Sequence, residues 1–245
     1  FSVFGHGRAN NVSPEPPRGD TLFEIGSISK VFTTSLLALA LAEGRLHLED
    51  AVCALVPQLA PWPPDLTLLS LATHTSGLPK MPSNLTRSML HDRHNPYAAY
   101  TQADLLEYLA RHKPRGRLPA PVNYSNLGVA LLCFIVAQQL GGAYEATLVE
   151  RLCDPLGLRD TRITLTADQQ KRLAAPHTAN GKPGHSWDLP AFAGAGALRS
   201  TANDLPHAFR PQSSSTLSAA SRAETNAVGT PAPGWVLAPT KYRLW

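Results

Sequence analysis

The chain has 245 residues, 43% of them apolar, with 22 prolines, 17 glycines and a net charge of +4. That length holds one medium domain or two lobes around a shared core. The mild charge has no basic stripe interleaved with aromatics, which argues against a nucleic-acid partner, and no stretch reaches membrane-spanning length, the longest apolar run being residues 35–42.

Taken in chain order, residues 1–4 and 22–25 read as short strands around a turn rich in Pro, Gly and Asn. The opening Phe1-Ser2-Val3-Phe4-Gly5 lacks the charged start and apolar stretch of a signal peptide, so none is read and the compartment is unknown. Residues 27–43 form a helix. Val31, Leu36, Leu37, Leu39 and Leu41 fall on nearly every face, so it is expected to be buried all round, with Gly44 as its C-terminal cap. Residues 47–165 read as mostly helical, with pieces at 50–59, 66–73, 101–110, 126–140 and 144–152 separated by proline-rich loops. Thr101 and Asp104 make a capping pair ahead of Leu105, Leu106 and Leu109. Pro155 ends a helix. Residues 161–165 alternate like a strand, and 194–201 is a small-residue segment leading into Ala202-Asn203-Asp204-Leu205. Residues 211–233 have little periodicity and are expected to be weakly ordered, and 234–237 is read as a final strand. No internal repeat is present. Cys53, Cys133 and Cys153 form no C-x-x-C pair and are read as buried free thiols.

This order, a strand, a helix, a helical insert and then strands, predicts an α+β fold: an α/β sandwich with an antiparallel sheet flanked by helices, plus an all-helical lobe. The whole of 1–245 is read as a single domain. Residues 1–45 and 160–245 form its α/β lobe, and 46–159 form its helical lobe.

The chemistry concentrates at Ser27-Ile28-Ser29-Lys30. Residues three apart at a helix start share a face. A serine hydroxyl is a poor nucleophile without a base beside it, and a lysine is a base only if its pKa is lowered, which burial does. The helix start also points backbone N–H groups to where an oxyanion would form. On four residues alone, the commoner reading is Ser27 as a helix cap and Lys30 as a solvated first-turn residue. A second element, Tyr124-Ser125-Asn126, adds a hydroxyl able to relay a proton and an amide able both to donate and to accept, so that Asn126 could hold Lys30 and a substrate amide together.

The segment from Phe23 to Thr33 closely resembles the nucleophile segment of the serine β-lactamase and penicillin-binding protein family: class C β-lactamases, DD-peptidases and related esterases. Leu68 to Pro79, Tyr124 to Gly128, Asp154 to Thr161 and Ala193 to Leu205 resemble its later motifs in the same order. The resemblance covers about residues 1–205. It implies Ser27 as nucleophile, Lys30 and Tyr124 as the proton-transfer pair and Asn126 as a substrate-positioning residue, with no metal and no cofactor. The implied substrate is a small molecule or peptide: a β-lactam, a D-Ala-D-Ala-type peptide or an ester. A periplasmic or secreted location is implied likewise. The family's third motif, Lys/His-x-Gly on a strand, is not found. Lys182-Pro183-Gly184 matches formally but precedes the 193–205 segment, and its proline removes an N–H from a strand. Relatives carry the motif just beyond a segment like Gly234-Trp235 and Leu244-Trp245, so the chain is expected to be truncated at both ends. A carboxylesterase on the same fold and a non-catalytic binding or scaffold member are the alternatives. His91-Asp92-Arg93-His94 is read as a solvated loop rather than a metal site, and His74 as a brace for a helix end rather than a catalytic group.

Overall fold

The computed structural model describes residues 2–10, 15–114, 116–178 and 180–208. In chain order its elements are β1 (Leu22–Glu24), α1 (Ser29–Ala42), α2 (Val52–Leu55), α3 (Leu68–Ala72), α4 (Leu85–His91), α5 (Gln102–Arg111), α6 (Asn126–Leu140), α7 (Tyr144–Leu148), α8 (Ala167–Arg172), α9 (Ala193–Gly196), β2 (Arg199–Thr201) and α10 (Leu205–Ala208). The strands β1 and β2 pair antiparallel, Leu22 opposite Thr201 and Glu24 opposite Arg199. The fold is therefore α+β and rich in helix, with a small antiparallel sheet.

Several helices start where side chains satisfy their free backbone groups. Thr67, Thr101 and Thr166 form capping boxes with Ser70, Asp104 and Gln169. Ser125 Oγ caps α6 by accepting from Gly128 N at 2.8 Å. At the end of α1, Gly44 takes φ +64°. Its N–H reaches Leu41 O and that of Arg45 reaches Ala40 O, a left-handed closure that glycine allows.

α6 is the central pillar, with Leu127, Leu131, Leu132 and Val136 buried completely or nearly so. The inner face of α1, carrying Phe32, Leu36, Leu37 and Ala40, packs into the same core. Gly194 of α9 lies where these two helices come together. A Cβ at Gly194 would stand 2.4 Å from Thr33 Oγ1 and 2.7 Å from Cys133 Sγ, so only glycine fits.

Two motif segments of the sequence turn out to lock each other. Asp204 Oδ2 accepts from Asp160 N and from Thr161 Oγ1, both at 2.8 Å, and Thr161 Oγ1 also meets Ser200 Oγ at 2.9 Å. Beside them Arg172 grips Asp160 with two hydrogen bonds of 2.6 and 2.9 Å. That pairing holds the Asp160 carboxyl below its usual range. These residues hold the 154–161 stretch against β2 and its following turn.

Several expectations are corrected. Val31 is 41% exposed, so α1 buries one face and is not surrounded by core. It also opens with a separate 3-10 turn, Gly26–Ile28. The piece at 50–59 is split by Pro57, which cannot donate within a helix and instead starts a 3-10 turn, Pro57–Leu59. The helix from Tyr144 widens into a π-turn at Val149–Cys153. The alternating residues 161–165 form only an isolated bridge, Arg162 to Arg199, and residues 2–4 form no strand. α4 and α8 were not predicted. Cys133 and Cys153 are buried free thiols as expected, whereas Cys53 is only partly buried. The expectations for residues 211–233 and 234–237 lie outside the described residues.

Candidate active site

β1 delivers the chain into the Gly26–Ile28 turn, where Gly26 takes φ +51° and lets the backbone reverse tightly. Ser27 projects from that turn and is exposed, while Lys30, one turn further along, is only 8% exposed. Lys30 Nζ donates to Ser27 Oγ at 3.1 Å and to the Ala195 carbonyl at 2.6 Å. Tyr124 Oη donates to the same Ser27 Oγ at 2.7 Å. Lys30 Nζ also lies 4.8 Å from the centroid of the Tyr124 ring. Residues far apart in sequence thus converge on one hydroxyl oxygen.

The electrostatics follow from this placement. Burial, with the Lys80 cation nearby, lowers the Lys30 ammonium from 10.5 to about 8. An ordinary lysine is almost never neutral at physiological pH, whereas at about 8 a minor share of this amine is neutral. The same effects, burial first and then the Lys30 charge, push His74 below its usual value. His74 adopts a left-handed φ of +60° and its Nδ1 accepts from Ser125 N at 3.2 Å, with its ring 4.7 Å from that of Tyr124. It braces the backbone next to Tyr124 as the sequence implied.

Asn126 faces the same cleft as Ser27. Its amide donates to Met81 Sδ at 3.4 Å, while Lys30 is held by Ser27 and Ala195, so the expected link from Asn126 to Lys30 is not made. Nothing in the residue pattern signals the Ala195 carbonyl as Lys30's acceptor, because a backbone oxygen carries no residue-type signal. The one available hint was the small-residue run Gly194-Ala195-Gly196, which lets that backbone approach α1 closely. The role of Lys80 was also missed.

The cleft beside Ser27 has a volume of about 230 Å³. A larger cavity of about 630 Å³ is bordered by Asn84 of the turn before α4 and Tyr108 of α5, and none of Ser27, Lys30, Tyr124 or Asn126 lines it. Of those four residues, Ser27 and Asn126 line the smaller cleft. Lys182-Pro183-Gly184 lies in an exposed turn folded back on His177 and Thr178, outside the cleft lining. Among the described residues, no group of three or more His, Cys, Asp or Glu side chains gathers closely enough to hold a metal ion. Asp92 Oδ1 instead accepts from His94 N at 2.7 Å, and the His94 ring packs on His185.

The chain thus combines a helix-rich α+β fold with a serine whose hydroxyl is shared by a lysine and a tyrosine. The family model described as Beta-lactamase matches residues 2–243, and the chain belongs to that family. It is 31% identical over 205 residues to a beta-lactamase of Pseudomonas fluorescens, covering 83% of this chain and 54% of that protein. It is 30% identical over 212 residues to the D-alanyl-D-alanine-carboxypeptidase/endopeptidase AmpH of Escherichia coli K12, covering 84% of this chain and 52% of that one. Among solved structures, a class C beta lactamase from Rhodobacter sphaeroides superposes with a TM-score of 0.73 at 29% identity, covering 89% of this chain and 60% of that one. The chain spans about half the length of the curated relatives it matches.

Proposed function

We propose that this chain carries the nucleophilic half of a serine hydrolase that works through a covalent acyl-enzyme. Its substrates are β-lactams, D-Ala-D-Ala-type peptides or esters. The observation that carries this reading is the convergence of Lys30 Nζ and Tyr124 Oη on Ser27 Oγ. The likeness to proteins named as beta-lactamases and as a D-alanyl-D-alanine carboxypeptidase supports the same chemistry.

In this reading the neutral Lys30 amine takes the Ser27 hydroxyl proton as Oγ bonds to the carbonyl carbon. The carbonyl π pair moves onto oxygen, next to the N–H groups at the open N-terminal end of the Gly26–Ile28 turn. That pair re-forms the C=O bond as the C–N or C–O bond to the leaving group breaks. The leaving atom takes the Tyr124 proton, and Tyr124 recovers one from Lys30. Water then adds to the ester carbonyl, yielding its proton to the same pair, and Ser27 is released with its proton restored. Asn126 orients the substrate amide. The cleft lining draws Glu24, Ser27, Trp187 and Ala195 from the proposed α/β lobe and Met81, Tyr97 and Asn126 from the proposed helical lobe.

The test is incubation with a fluorescent penicillin followed by intact-mass analysis. The expected result is a stoichiometric adduct that disappears in Ser27→Ala. If no penicillin gives an adduct, and neither nitrocefin nor p-nitrophenyl esters turn over, the chain is a binding or scaffold member instead.

A further inference from the structure

His94 and His185 come from distant parts of the chain, yet their rings lie 4.4 Å apart, centroid to centroid, with planes tilted by 53°. Both residues are exposed, so burial in a core does not account for two imidazoles meeting there. Among the described residues no hydrogen-bond partner engages either ring, which leaves a nitrogen lone pair available on each.

The backbone on both sides is anchored. Asp92 Oδ1 accepts from His94 N at 2.7 Å. Asn95 Nδ2 donates to Asp188 Oδ2, and Asp188 N donates to Asn95 Oδ1, both at 2.9 Å, so the residue after His94 is clasped to the 185–188 segment. Trp187 N donates to Glu24 Oε1 at 3.2 Å, and Arg199 Nη2 reaches the same carboxylate oxygen at 3.3 Å. Those bonds tie the segment carrying His185 to the paired strands β1 and β2. The Tyr97 and Trp187 rings, 5.3 Å apart, close the same junction. The two imidazoles are thus presented to each other by a scaffold that does not depend on their own contact.

The spacing has a chemical meaning. A first-row metal ion binds an imidazole nitrogen at about 2.0–2.1 Å, and the ring centre lies about 1.2 Å further out, so each centroid stands about 3.2 Å from the ion. Two rings at a right angle about the ion are then about 4.5 Å apart, against about 5.2 Å for a tetrahedral pair. The observed 4.4 Å matches the right angle, which suits the tetragonal sites of Ni²⁺ and Cu²⁺. The electrostatics agree. The N–H groups of His94 and Asn95 hold the Asp92 carboxyl below its usual range, and the His94 and His185 charges add to this, so a carboxylate lies within electrostatic reach of both rings.

We propose that His94 and His185 form a two-imidazole chelate for Ni²⁺ or Cu²⁺, with water completing the coordination shell, which bridges the 92–95 loop to the 185–188 segment. Two protein ligands suffice for such a site, so it needs no cluster of three. It makes no use of Ser27 and stands whether or not that serine is acylated.

The test is calorimetric titration of the whole chain with NiCl₂ at about pH 7.5, where an ordinary imidazole is neutral. One site per chain is expected. His94→Ala and His185→Ala should each weaken it by roughly tenfold or more, and the double substitution should weaken it no further, because losing either arm already destroys the chelate. His94→Gln and His185→Gln, which keep bulk and polarity, should repeat the loss. His47→Ala, at an exposed histidine elsewhere, should leave the affinity unchanged. Saturating Ni²⁺ should raise the melting temperature of the parent chain but not of His185→Gln, and excess MgCl₂, a hard ion that prefers oxygen, should not displace it. Parent affinity in His94→Ala or His185→Ala, losses that add in the double variant, or displacement by MgCl₂ would each overturn the proposal.

Discussion

If Lys30 is the base that activates Ser27, acylation must follow its deprotonation. With Lys30 at about 8, roughly a tenth of the molecules carry the neutral amine at pH 7, against about one in three thousand for a lysine at 10.5. Burial and the Lys80 charge together therefore contribute roughly 300-fold in neutral amine at pH 7. The acylation rate constant should rise about tenfold per pH unit below the midpoint and level off above it. Lys80 supplies the perturbation, because its cation is one cause of the low value. Removing that charge in Lys80→Gln favours the ammonium form, raises the Lys30 pKa and moves the rising limb to higher pH. The difference between the two chains should shrink at 1 M salt, since Lys80 is exposed and its field is screened. The assay is stopped-flow acylation by a fluorescent penicillin from pH 5.5 to 9.5. A rate that is flat or falls with pH, or a limb that stays put in Lys80→Gln at low salt, would refute the assignment of Lys30 as base.

Three further outcomes are expected. Lys30→Met should abolish acylation yet raise stability at pH 7 by up to roughly 3 kcal/mol. A lysine whose folded-state pKa is depressed destabilises the fold below about 8, and that penalty fades as pH climbs from about 8 to 10.5, so the gap in urea unfolding should close by pH 10.5. Gly194→Ala should cost about 1–3 kcal/mol in the same unfolding assay, because its Cβ collides with Thr33 and Cys133. It should also slow acylation by shifting Ala195 O away from Lys30. Tyr124→Phe should lower the acylation rate by about 10²–10⁴ with the melting temperature nearly unchanged, the range expected when a positioned proton donor is lost.

The parts of this site that are local in sequence were legible, and the parts built from distant backbone were not. Ser27 and Lys30 sit three apart, so helix geometry alone brings them to one face. Tyr124 lies 97 residues from Ser27 along the chain, and no periodicity relates the two; only the resemblance joined them. The Ala195 carbonyl and the Arg199–Glu24–Trp187 scaffold depend on how α9 and β2 return to the start of the chain, which pairwise spacing cannot report. Helix boundaries were read well where a characteristic capping residue closed them, as at Thr101 and Gly44, and poorly where a proline or a widened turn intervened, as at Pro57 and Val149–Cys153. Burial of α1 was overestimated because apolar residues around a helix do not say which side meets a neighbour.

The contacts that complete the proposed nucleophile also set when it can exist. Lys30 reaches across 165 residues to Ala195 O, Leu198 N across 169 to Ser29 Oγ, and β1 waits for β2. Contacts of such high sequence separation form late, after the local helices. On the ribosome, a nascent chain holding everything through Tyr124 would still have no acceptor for Lys30 and no partner strand for β1. In the proposed reading the serine stays silent until the residues near 200 have emerged and folded back to position Lys30.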